Sequence, residues 1–319
     1  MKKLILLVII AITSLSTYAQ EINYARVQDM AIWYNQSLKT DKDNTLRLNY
    51  RNVQVAGMIA YNSISAMVDI PLVKREKKVE EKGYFNISLG AASDKSNQGI
   101  MNNTSGLLGV SYAVPIAEGV YVAAGFQGSF YQSRLNTSGD GVFGDQLSKY
   151  GPISGAISSD RFAAGWKYDH FRLNAGVSIF GKDEMSKWYF GLSALQLNQP
   201  YTDILKLDEY KLPTGFSLQG GYTYFTESKD EIGGHLSLNW QGGAYKHFFY
   251  GSFVKEVDDK QEIKVGAGIG YRFEDAVVPA IEVHYQKMLF NLSYDVNISS
   301  LNSAGVKRNG LELMLKLNF

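Results

Sequence analysis

Arg47, Asn49 and Arg51 stand at every second position, the spacing that puts side chains on one face of a strand. Two guanidinium groups so placed could clamp a carboxylate from a partner bidentately. They could also pair with acidic residues of the same wall, Asp295 and Glu312 among them, which is the commoner fate of such arginines. A second concentration of charge lies between Pro71 and Lys82, where Lys74, Arg75, Lys77, Lys78 and Lys82 are interspersed with Glu76, Glu80 and Glu81. It has the composition of a solvated turn, or of a docking handle for a protein partner. A third feature is Gly266, Gly268 and Gly270, followed by Arg272. The glycines have the look of a dinucleotide loop, but no helical pattern follows them. Their alternation fits a strand with one bare face, open to the approach of a plug, a neighbouring backbone or a ligand.

No constellation for catalysis accompanies these features. G-x-S-x-G, H-E-x-x-H and the phosphate-binding P-loop are all missing. His170, His235, His247 and His284 fall on different expected strands, and there is no cysteine to complete a thiolate metal site. The expectation is a chain without enzymatic activity, metal or cofactor. A formal charge of +1 removes the basic excess that binding to nucleic acid requires.

The elements that carry these residues follow a period of two. Leu311, Leu313, Leu315, Leu317 and Phe319 alternate with Glu312, Met314, Lys316 and Asn318. Met288, Phe290, Leu292, Tyr294 and Val296 alternate with Leu289, Asn291, Ser293, Asp295 and Asn297. Such strands have one face fit for lipid and one fit for a polar lumen. Gly266, Gly268, Gly270, Arg272, Asn291, Asp295, Glu312 and Lys316 are therefore expected to line a lumen. By the same rule Arg47, Asn49 and Arg51 face inward, and Leu46, Leu48 and Tyr50 face lipid.

The pattern predicts about fourteen strands, near 45–51, 57–68, 83–91, 104–113, 119–132, 170–180, 187–198, 214–225, 231–241, 245–254, 261–273, 277–286, 288–298 and 309–319. Residues 161–168 are kept in the preceding loop, because single-chain bacterial barrels have even strand numbers. Pro200 is expected to end the seventh strand. The fold class is all-β, a transmembrane antiparallel barrel.

Residues 1–19 have the basic start, short apolar run and small-residue cleavage site of a secretory signal peptide. Residues 20–44 are expected to form a periplasmic or plug segment, and 45–319 the barrel. With both termini periplasmic, the long connections 133–169, 199–213 and 299–308 fall outside the cell, and the periplasmic connections are short except for 71–82. Leu313, Leu315, Leu317 and the terminal Phe319 are similar to the signal by which bacterial outer-membrane barrels are recognised for insertion.

Several strings, in order along the chain, resemble the PorP/SprF family of outer-membrane proteins in the type IX secretion system of Bacteroidota. Tyr34-Asn35-Gln36-Ser37-Leu38-Lys39-Thr40 resembles the family's F-N-P-A-L-A-G but lacks its proline, so no role is read into that segment. Leu48-Asn49-Tyr50-Arg51-Asn52 is similar to L-x-Y-R-N, and Asp69-Ile70-Pro71 to D-x-P. The run Phe190 to Pro200 resembles G-L-S-x-x-x-L-x-Q-P, and Tyr294 to Leu301 resembles Y-D-x-N-x-S-x-L. The resemblance implies an outer-membrane barrel in contact with lipid that serves protein export. Its implied partners are periplasmic components of the secretion system and secreted adhesins with a C-terminal sorting domain. The family is also linked to gliding motility. Two other readings are an outer-membrane channel for small or apolar solutes, and a soluble exported β-sandwich that binds glycans.

Overall fold

The computed structural model describes residues 24–55, 59–72, 83–96, 99–136, 144–153, 155–159, 165–202, 210–300 and 308–319. The expected signal peptide and Lys74, Arg75, Lys77 and Lys78 lie outside the described residues.

Among the described residues, fourteen antiparallel strands close into a barrel. They are β1 (Thr45–Val55), β2 (Ile59–Leu72), β3 (Tyr84–Ser96), β4 (Met101–Ala117), β5 (Val120–Leu135), β6 (Trp166–Lys182) and β7 (Ser186–Leu195). The second half holds β8 (Gly215–Phe225), β9 (Glu231–Gln241), β10 (Ala244–Asp258), β11 (Ile263–Arg272), β12 (Ala276–Tyr285), β13 (Met288–Asn297) and β14 (Arg308–Asn318). Every strand pairs with its neighbours in sequence, and β1 pairs with β14 to close the ring, Leu48 opposite Leu315 and Arg51 opposite Glu312. Closure leaves no barrel strand with an open edge, which is what permits a sheet to sit in hydrocarbon.

The two faces invert the soluble arrangement. Outward-facing Ile64, Phe126, Phe216 and Ile269 are exposed, whereas inward-facing Arg47, Asp69, Asn86, Gln219 and Glu312 are buried. An apolar exterior around a polar interior is the signature of a membrane barrel.

The strand pattern holds, with informative changes at the boundaries. Residues 166–168 begin β6 and form no separate strand. β7 stops at Leu195, short of the expected 198, because Gln196 adopts φ 57° and turns the chain before Pro200 is reached. Strands β4, β5 and β6 run 17, 16 and 17 residues, against 10 in β11, β12 and β13, so one side of the wall is much taller. Prolines sit where the ladder spares them a donor. Pro71 lies beyond the last β1 partner, and the pairing of β12 with β13 skips Pro279.

The barrel has a short-turn end and a long-loop end. Residues 118–119, 183–185 and 286–287 turn tightly at the end where the chain enters β1 and leaves β14. Leu135 and Trp166, Leu195 and Gly215, and Asn297 and Arg308, the strand ends that flank the longer connections, lie at the opposite end. There, two small hairpins pair Leu147–Ser148 with Gly151–Pro152 and Tyr201–Thr202 with Tyr210–Lys211.

Candidate functional site: a segment seated in the lumen

Residues 24–39 run inside the barrel, and 40–44, with Thr40, Lys42 and Asp43 exposed, lead from there into β1. One helical turn, α1 (Ala31–Tyr34), gives the segment its shape. Tyr24, Ala25, Met30, Ile32, Asn35, Gln36, Ser37, Leu38 and Lys39 are all buried. Ile32 packs with Met67 and Leu107, and Ala25 and Val27 pack with Phe248, Tyr250, Ala276, Val278 and Ala280. Tyr24 meets Trp33 and Tyr34 edge-on, with ring centroids 6.0 and 6.5 Å apart. These contacts reach opposite sides of the ring, so the segment is a plug rather than a lining.

Polar bonds tie the plug to the wall. The backbone N–H of Ala25 donates to both oxygens of Glu312 at 3.0 Å. Arg26 pairs with Glu282 and Asp29, and Lys316 Nζ lies 3.2 Å from Asp29 Oδ1. Ser193 Oγ donates to the carbonyl of Tyr34 at 2.8 Å, and Ser178 Oγ to that of Ser37 at 2.8 Å. Gln36 Nε2 donates to Ser88 Oγ at 2.7 Å, and Tyr84 Oη to the carbonyl of Lys39 at 2.9 Å. Bonds of this kind satisfy backbone groups that an irregular segment would otherwise leave orphaned at membrane depth.

Four inward glycines accept the plug's tip. An added Cβ at Gly109 would fall 2.0 Å from Gln36 Oε1, and one at Gly176 2.1 Å from Asn35 Oδ1. At Gly125 it would meet the backbone nitrogen of Ser37 at 2.9 Å, and at Gly191 the Asn35 Nδ2 at 2.7 Å. These glycines lie on β4, β5, β6 and β7 in succession. The segment Tyr34–Thr40, to which the sequence assigned no role, is therefore the part that nests closest to the wall. The signal available in the sequence was this run of inward glycines on consecutive strands.

Gly266, Gly268 and Gly270 serve a different contact. Cβ atoms there would strike Val254, Tyr250 and Phe248 of the adjacent β10 at 2.7, 2.1 and 2.4 Å. Large side chains of the next strand, not the plug, occupy that bare face.

Arg47, Asn49 and Arg51 face inward and are held by the wall. Arg47 pairs with Asp69, which also accepts from Ser88 Oγ at 2.6 Å. Asn49 Nδ2 donates to Glu312 Oε1 at 2.7 Å. Arg51 pairs with Asp295 and lies 3.7 Å from Glu312. Arg272 Nη1 joins Asp295 at 2.9 Å and Asp275 at 3.0 Å. Asn291 is buried, with Nδ2 donating to the carbonyl of Ile281. Of the two arrangements weighed for Arg51, the geometry has the intramolecular one, and Arg47 finds a third carboxylate. Leu313 and Phe319 are exposed on the outer surface, and the Phe319 N–H donates to the carbonyl of Asn44 at 2.9 Å. Among the described residues no group of three His, Asp or Glu is placed to hold a metal.

Residues 37–317 match the family described as type IX secretion system membrane protein PorP/SprF. The chain belongs to the PorP/SprF family. It is an outer-membrane β-barrel of that secretion system, and the family match begins at Ser37, within the tip of the plug. No curated protein matches the chain. Among solved structures it is similar to a Pseudomonas aeruginosa FadL homologue, with TM-score 0.53 and 10% identity over 91% of this chain and 93% of that one. The Ralstonia pickettii toluene transporter TbuX has TM-score 0.53 and 8% identity over 91% and 93%. The P. putida toluene transporter TodX has TM-score 0.52 and 9% identity over 91% and 94%. At these identities the likeness is one of fold.

Proposed function

We propose that this PorP/SprF barrel is a non-enzymatic accessory of type IX export, supporting the secretion or surface anchoring of adhesins. It does so by binding their C-terminal sorting domain or components of the translocon. The observation that carries this reading is the plug, whose contacts run from β2 across the lumen to β14 and are both apolar and ionic. A lumen spent on holding its own chain suits a scaffold better than a general pore. Deleting the gene is expected to remove one or a few adhesins from the cell surface. An unchanged surface proteome and unchanged motility would sink the proposal.

The second reading is a channel for small or apolar solutes, favoured by the fold shared with TbuX and TodX. Against it stand the buried polar residues of the inner wall, which offer an apolar solute little affinity. Planar-bilayer conductance separates the two readings: an accessory barrel stays silent, and a channel conducts.

On this proposal the short-turn end faces the periplasm, and residues 71–82 form its docking handle. Neutralising Lys74, Arg75, Lys77 and Lys78 is expected to reduce co-purification with periplasmic components without lowering barrel levels. Retained co-purification would mark the segment as a solvated turn.

A further inference from the structure

The outer surface of the tall strands changes polarity towards the long-loop end. Outward positions pass from Leu89 to Ser93 and Lys95 on β3, and from Leu108 to Thr104 and Asn102 on β4. They pass from Phe130 to Gln132 and Arg134 on β5, and from Phe171 to Asp169 and Lys167 on β6. The apolar members are exposed, as a lipid-facing wall requires. Beyond them the face turns polar while the strands continue, so this part of the wall has left the hydrocarbon. The shorter strands end instead at the exposed aromatics Trp240, Tyr245 and Phe273, an interfacial girdle with no polar wall above it.

Register joins the ends of these four strands into one row. Lys95 pairs with Asn102, Asn102 with Arg134, and Arg134 with Lys167. At about 4.8 Å per strand, three cations and an amide span about 14 Å. Arg134 and Lys167 stand directly opposite, and like charges so placed destabilise a sheet unless an anion lies between them. Lys167 Nζ lies 3.3 Å from Asp169 Oδ2, whereas Lys95 and Arg134 have no ion-pair partner among the described residues. Asp94 gives Lys95 no counter-ion, because it faces inward and accepts from Ser63 Oγ at 2.7 Å. The row is left net positive.

We propose that this row binds the anionic head of a phosphate-bearing glycolipid in the outer leaflet. The proposal goes beyond the export reading and does not depend on it; it takes the long-loop end as the outer one, as barrels with short periplasmic turns have it. Basic clusters beside a membrane recognise anionic lipid heads. Arg134 offers a planar fork to two phosphate oxygens, and the lysines offer point charges on either side. Height selects the lipid. From Phe130 to Arg134 and from Phe171 to Lys167 is four residues, about 13 Å along the strand and about 10 Å along the membrane normal at the usual tilt. A phospholipid headgroup layer is only about 5–8 Å deep, so a head built of several sugars is the one that reaches the row. An acidic protein would meet the same charges, but the apolar positions directly below them are already the territory of acyl chains.

The test uses the full barrel in a non-ionic detergent and native mass spectrometry. The probes are bisphosphorylated lipid A, its dephosphorylated form, inorganic phosphate and a decaglutamate peptide. Wild type is expected to retain the bisphosphorylated lipid, with affinity falling about tenfold or more in the triple variant Lys95→Gln, Arg134→Gln, Lys167→Gln. Lys255→Gln, which removes an outward lysine near the short-turn end, is expected to change nothing. All three cations are exposed, so the triple variant is expected to keep its folded barrel, checked by its heat-modifiable migration. Equal retention by wild type and triple variant overturns the proposal, as does equal affinity for the dephosphorylated lipid. Competition by inorganic phosphate at the lipid's own concentration would reduce the row to a site for a free ion and overturn it too. Tighter binding of decaglutamate than of the lipid would overturn it in favour of an acidic protein.

Discussion

The Ala25 N–H donates to both carboxylate oxygens of Glu312 at 3.0 Å, joining the start of the described plug to the strand that closes the barrel. Glu312 also accepts from Asn49 and lies beside Arg51, so one carboxylate serves plug and wall together. Glu312→Leu would leave those donors buried without their acceptor, at a cost of about 3–5 kcal/mol. The expected outcome is faster protease cleavage of residues 24–44 in the purified barrel and a lower unfolding midpoint in urea. Unchanged cleavage would mean that the remaining plug contacts suffice.

Gly125 and Gly109 are expected to differ in their tolerance of a methyl group. The Cβ of Gly125→Ala meets the plug's backbone at Ser37, which cannot rotate away. The Cβ of Gly109→Ala meets the far end of the Gln36 side chain, which can. Overpacking at Gly125 should cost about 1–3 kcal/mol and loosen the plug. Comparing protease protection of the two variants checks the order, and equal protection would remove the argument from close approach.

Arg47 and Asp69 form a buried pair on neighbouring strands, with side chains 5% and 0% exposed. Arg47→Met alone should destabilise by about 3–5 kcal/mol, because Asp69 keeps its buried charge with the Ser88 hydroxyl but without a counter-ion. Adding Asp69→Leu should recover much of that loss. Urea midpoints of the two single variants and the double variant measure the coupling, and simple additivity would show that the pair is not interacting.

Lys39 predicts a pH dependence at the neck of the plug, outside the strands. Its Nζ donates to Asp41 Oδ1 at 2.5 Å and to Thr45 Oγ1 at 2.9 Å. Burial pulls its pKa from 10.5 down to about 8; Asp41 opposes the shift, and the charges of Arg47 and Lys316 add to it. Between those values the unfolded chain binds more protons than the folded one, so stability rises with pH across the window. Below about pH 8 both states are protonated, and the burial penalty is fully present. Wild type should therefore gain on Lys39→Met as pH climbs from 8 to 10.5, read as converging or crossing urea midpoints. A constant offset would place the titration elsewhere.

Much of the wall was legible in the sequence because a barrel strand writes its two environments in alternation. Leu313, Leu315 and Leu317 against Glu312 and Lys316 state the inside and outside of β14 with no further information. Strand ends were less legible. The end of β7 depends on Gln196 taking a positive φ, which its residue type does not announce. The plug was legible only as a segment of uncertain place, since α1 is one turn long and much of its burial comes from strands distant in sequence.

The sequence by itself determined the all-β class, the strand count, and the polarity of each strand face, because period and composition are local properties. Tertiary structure alone decided which groups meet. Gly176 touches Asn35, and Ala25 reaches Glu312 across 287 residues, because ring closure brings distant strands around one short segment. It also assigned partners to the inward arginines, since the choice between Asp69, Asp295 and Glu312 depends on strand register and not on residue type.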